Sequence, residues 1–211
     1  MARILKQQNV YFEPLQVLFD VINSHVPDPY QERATRPTAR EKRWIFPNTP
    51  EANDENYPRI ALLHGNLTFE EWTAGQFLES QKNVGGGISE VNTNLAVLPI
   101  VVGVFAKKTS HRGLDVTDYD GTERYVENSM LVTHLLDKIQ KEIHAHRTDF
   151  IDKDMEISIL NMDGPYEDND FLWAGNINME VRMKNIWTED ISVEKVIASL
   201  SYTFNIELTT C

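Results

Sequence analysis

The run from Leu95 to Ala106 carries no charged side chain and no side-chain hydrogen-bonding group, and it constrains this chain more than any other stretch. A continuous apolar segment of that length is an interior strand buried on both faces. It is too short to cross a bilayer as a helix, which needs about 20 apolar residues. Pro99 falls inside it. A proline cannot donate to a ladder, so it is expected at an edge or a bulge.

A polar loop, 107–123, separates that strand from the clearest helical pattern. Val132, Leu135, Leu136, Ile139 and Ile143 recur at helical spacing, with Asp137, Lys138, Gln140, Lys141 and Glu142 on the other face. Asp137 precedes Lys141 by one turn, the favourable order for an ion pair. Upstream, Pro14 opens a shorter helix whose face is Leu15, Leu18, Phe19 and Ile22, and Pro27 and Pro29 stop it.

The rest of the pattern is β. Ile60 to Leu63 reads as a short strand ended by Gly65. Met155, Ile157 and Ile159 alternate with polar residues before a turn at Asp163-Gly164-Pro165. Ile177, Met179, Val181 and Met183 alternate again, as do Leu200 to Leu208, with a short helix over Ser192 to Ala198 between them. One-faced alternation packs one side and leaves the other to water or a partner. The expected class is α+β, a mostly antiparallel β-sheet with helices packed on one face and long loop insertions. We expect a single domain over 1–211, with 27–57 and 64–94 as extended loops or arms.

The chain has 211 residues and a formal net charge of −12, which argues against general nucleic-acid binding. The local exception is Arg33, Arg36, Arg40, Lys42 and Arg43, followed by Trp44. This window is either a solvated loop or a contact for an acidic neighbour or phosphate. The N-terminal residues lack a signal-peptide core, and the single cysteine, Cys211, permits no internal disulfide. Both fit assembly in a cytoplasm, and no membrane association is expected.

Catalytic motifs are incomplete. Asp118-Tyr119-Asp120-Gly121-Thr122 is similar to the first motif of haloacid-dehalogenase-type phosphatases, which would make Asp118 a nucleophile and Asp120 an acid/base beside Mg²⁺. Lys107, Lys108, Ser110, His111 and Arg112 are among the residues that separate it from the apolar strand that such a motif follows directly. Read instead as a calcium loop, it places Val116 where the first ligand belongs. Gly85-Gly86-Gly87 is not followed by Lys-Ser/Thr, so no phosphate loop forms. His144 and His146 are two apart on a helix and cannot share a metal as an i, i+4 pair would. The six histidines default to capping and surface roles, and no cofactor is expected. Among the tryptophans, Trp173 and Trp187 bracket the long alternating strand as core or interface anchors.

An N-terminal helix, a short strand, a strand of the type Leu98 to Val104, a polar loop, a long helix and a finishing strand from Phe171 to Trp187 follow in order. That order resembles the tail-terminator and head–tail joining proteins of tailed bacteriophages. The resemblance implies a non-enzymatic virion protein that forms a ring, often hexameric, and joins the tail tube or sheath to neck or connector proteins. DNA would pass through its acidic lumen without sequence-specific binding. The basic window, Trp44, Asp118, Asp120, Trp173 and Trp187 are then candidate interface residues. The alternatives are another baseplate or virion component, and a Mg²⁺-dependent phosphatase using Asp118 and Asp120.

Overall fold

A computed structural model describes residues 11–50, 56–70, 79–82, 88–108, 112–117 and 121–191, with the backbone alone at 40, 70, 79–82, 88–94 and 184–191. The chain divides into two compact units. The larger comprises Val10–Thr68 and Val97–Met183. The other comprises Met1–Asn9, Phe69–Ala96 and Lys184–Cys211. In the smaller unit β4 (Glu79–Lys82) pairs antiparallel with the start of β5 (Ile88–Lys107), Glu79 opposite Val91 and Lys82 opposite Ile88. Gly85-Gly86-Gly87, the 192–198 helix and the 200–208 strand lie outside the described residues.

The larger unit is α+β, with a mostly antiparallel sheet. Its strand order is β1 (Ile45–Phe46), β2 (Arg59–His64), β5, β9 (Leu172–Ile191), β8 (Met155–Asn169), with β3 (Thr68–Glu70) also pairing β5; β1–β2 is parallel, and β2–β5 and β8–β9 are antiparallel. Helices α1 (Phe12–His25) and α3 (Asn128–Ala145) pack on each other, and α3 and α4 (Arg147–Ile151) pack on β8. The buried face of α3 is the expected Val132, Leu135, Leu136, Ile139 and Ile143, with Leu131 added. Full burial of such a side chain is worth roughly 1.5–3 kcal/mol before entropy is counted. On α1 the buried face is Pro14, Val17, Leu18, Val21 and Ile22, rotated from the expected stripe because the two valines, rather than Leu15 and Phe19, point inward.

Strand β9 shows the period-two rule directly. Ile177, Met179, Val181 and Met183 are buried, while Arg182 between them is exposed. Gly175 continues the buried row, and a Cβ there would meet Leu136 and Val132 of α3, so this row is the helix-covered face. The opposite face holds a smaller cluster of Tyr57, Ala61, Phe105, Leu172 and Ala174, with Leu63 at its margin.

The apolar run is a central strand, and Pro99 sits within it rather than on an edge. Register explains how. His64 pairs Ile100, and the next position has Gly65 N donating to Pro99 O at 2.8 Å. The donor that Pro99 lacks would have served Gly65 O. That oxygen instead lies 3.1 Å from the His64 ring Nδ1, at the point where β2 has already ended.

Three other expectations change. Asp163-Gly164-Pro165 is not the hairpin turn. It lies inside β8, where the register shifts between Asp163 and Tyr166, and the turn falls at Asp170-Phe171. The 107–123 loop contains β6 (Leu114–Thr117), which pairs antiparallel with β7 (Glu123–Val126) as a separate ribbon. Within 27–57, expected as an extended loop or arm, the described residues form a 3-10 turn at Gln31–Thr35, the short α2 (Ala39–Lys42) and β1, and bury Trp44 and Ile45.

Candidate functional site: an open sheet edge

The basic window divides by burial. Arg33 has 0% exposure, and its Nε lies 3.3 Å from Asp28 Oδ2 without the alignment of a hydrogen bond. Its NH2 group donates to Pro58 O at 2.9 Å, fastening the 3-10 turn to the start of β2. Burial pushes the guanidinium down to about 10, and burial also raises the Asp28 carboxyl, outweighing the attraction of Arg33. Both shifts say that desolvation dominates this pair, which makes it a positional device more than a source of stability. Arg36 donates to Asn56 Oδ1 at 2.6 Å, and Arg33, Arg36 and Arg112 surround the Tyr30 ring at 5.6, 5.1 and 3.8 Å. Trp44 is 5% exposed, and its carbonyl accepts from Ile60 N.

Arg33 and Trp44 are therefore internal and cannot present an interface in this fold. Lys42 and Arg43 are exposed, and the Arg40 side chain lies outside the described residues. Asp118 and Asp120 also lie outside them, as does the Trp187 side chain. Trp173 is half-buried under Lys108, whose Nζ stands 5.3 Å from its ring and 2.8 Å from Glu167 Oε2.

A surface feature that no sequence motif marks is β8. Among the described residues it pairs on one side only, with β9, and no described strand lies along its other side. Its first part is anchored by buried Met155 and Ile157. From Leu160 to Phe171 every residue is exposed, including Leu160 at 62% and Phe171 at 71%, with Met162 and Tyr166 between them. Asp163, Glu167, Asp168 and Asp170 lie in the same stretch. One face is set by amides: Asn178 donates to Asn161 at 2.6 Å and to Asp163 at 3.0 Å, and Asn176 donates to Tyr166 OH at 2.7 Å. Register shifts after Ile159, Asp163 and Glu167 twist this edge.

A second constellation sits where α1 and α3 end. The ligand atoms of His25, Glu142 and His146 all lie within 4.8 Å of one another. The two imidazoles stack with centroids 3.9 Å apart. His146 Nε2 is 3.7 Å from Glu142 Oε2, and its Nδ1 is 3.5 Å from Asp149 Oδ2. Lys138 holds the other Glu142 oxygen at 2.6 Å, and that hydrogen bond is the main reason the Glu142 carboxyl titrates below its ordinary value. The Glu142–His146 spacing of four was legible in the sequence, but His25 joins it only through helix packing. No protein-family model matches the chain, and no curated protein matches it.

Proposed function

We propose that this chain is a structural subunit of a tailed-phage particle, assembling with copies of itself into a ring that terminates the tail and joins it to the neck. The observation that carries the reading is the β8 edge and the turn after it, where large apolar side chains and four acids lie exposed between Leu160 and Phe171. Exposed Lys42 and Arg43 supply a patch of opposite sign on a different element. A contact between two unlike patches is heterologous, and repeating it closes into a ring when the rotation permits. Unlike charges set the register of such a contact, and the buried apolar residues supply most of its free energy. The net charge of −12 suits a lumen through which DNA slides without adhering.

The decisive experiment is negative-stain microscopy and analytical ultracentrifugation of the purified chain, alone and with the tail tube it would cap. Rings bearing several copies are the expected result. A chain that stays monomeric at high concentration and on the tube defeats the reading.

A further inference from the structure

We infer that His25, Glu142 and His146 form a binding site for one Zn²⁺-class divalent transition metal, which clamps the C-terminal end of α1 to that of α3. Two imidazole nitrogens and one carboxylate oxygen are a donor set for zinc and its neighbours, not for calcium or magnesium, which take mainly oxygen. Water fills the fourth position of the tetrahedron.

Four observations converge on the site. Glu142 lies in the last turn of α3 and His146 at its C-cap, four residues on, where the His146 N–H donates to Glu142 O and keeps the two side chains adjacent. His25 closes α1, and α1 packs on α3, so the third ligand arrives on a rigid neighbour. Asp149, in the first turn of α4, faces His146 Nδ1 at 3.5 Å and so orients the ring with Nε2 toward Glu142. Both helices also direct the negative ends of their dipoles at this point, which favours a cation. The ligand atoms, now spread over as much as 4.8 Å, must close to about 3.3 Å around a tetrahedral metal with ligand bonds near 2.0–2.1 Å. Rotation of the exposed His25 side chain out of its stack on His146 supplies that movement without displacing either helix. Lys138 keeps Glu142 Oε1, leaving Oε2 for the metal.

The site needs neither self-assembly nor the β8 edge, so its test is independent of the ring. The full chain, without an affinity tag and freed of metal by chelation, is titrated with Zn²⁺ by calorimetry at neutral pH. One Zn²⁺ per chain is expected, with a rise in unfolding temperature on loading. His25→Ala and His146→Ala should each weaken binding at least tenfold, and Asp149→Asn about tenfold. His144→Ala, an exposed neighbour on α3, should leave it unchanged. Co²⁺ loading should give the visible ligand-field bands of a four-coordinate ion, lost in His146→Ala. The four substituted positions are exposed or half-buried, and circular dichroism checks that each variant folds. The inference is overturned if wild type binds no Zn²⁺ at 100-fold excess, or if the His25→Ala/His146→Ala double variant binds as tightly as wild type.

Discussion

Gly175 of β9 lies directly beneath Leu136 of α3: a Cβ at that position would stand 2.6 Å from Leu136 Cδ1 and 3.0 Å from Val132 Cγ1. The helix can approach the sheet this closely because the strand offers only hydrogen there. Leu136 and Val132 are themselves buried, and Asp163 O closes the third side at 3.1 Å, so a methyl group has no easy way in. Gly175→Ala should destabilise the chain by about 1–3 kcal/mol, measured by denaturant unfolding. Leu136→Ala in the same chain should recover part of that loss, because the two residues are in contact and their effects should not add. Simple additivity of the two changes would show that the helix rests elsewhere.

Arg33 makes a second prediction about the architecture. It is buried against the half-buried Asp28 and ties the 3-10 turn to Pro58. Arg33→Ala removes the nearest cation of the half-buried Asp28 carboxylate and the bond to Pro58 O, and should cost about 1.5–3 kcal/mol. Arg33→Met paired with Asp28→Asn removes both charges while keeping most of the volume, and should fall much closer to wild type. Equal losses in the single and the paired variant would mean that packing, not charge, is what Arg33 supplies.

The contrast between α3 and Arg33 shows which parts were legible in the sequence. Burial of α3 follows from local spacing alone, and each of its expected core residues is buried. The alternation in β9 is equally local. Arg33 reads as a surface cation in any linear scan, because its burial depends on Pro58 and Asp28 folding around it. The Asp163-Gly164-Pro165 signal misled for a related reason. A bulge in a long edge strand uses the same residues as a turn, and only the partner strand decides between them. The edge itself was invisible, since strand order is set by which elements pair across the whole fold.

His134 gives the chain a sensitivity to mild acid. Burial lowers its pKa below the ordinary histidine value, with Asp137 opposing and Lys138 and Lys141 adding to the shift. The unfolded chain therefore binds this proton more readily than the folded one. Above about pH 6.5 the ring is neutral in both states and nothing is lost. As pH falls below that value, stability declines until the folded-state pKa is passed. His134→Gln removes this contribution, so unfolding temperature between pH 7.5 and 5 should fall less steeply in the variant. Parallel curves for the two proteins would contradict the assignment.

The last prediction addresses the open edge. Leu160 on β8 and Phe171 in the turn after it are exposed, while the strand is anchored elsewhere, by Met155 and Ile157. Replacing them should therefore spare the monomer, since surface changes of this kind usually lie within about 0.5 kcal/mol. Leu160→Lys with Phe171→Lys places two charges where a neighbouring subunit would bury apolar area, and burying an unpaired charge costs several kcal/mol. The variant should remain folded but shift from ring to monomer in sedimentation. Lys42→Glu with Arg43→Glu should do the same by opposing Asp163, Glu167, Asp168 and Asp170 with like charge, and the effect should weaken in high salt. Loss of rings in the first variant but not the second would keep β8 in the contact while excluding Lys42 and Arg43 as its counterpart. Rings that persist in both would remove the edge from the assembly altogether.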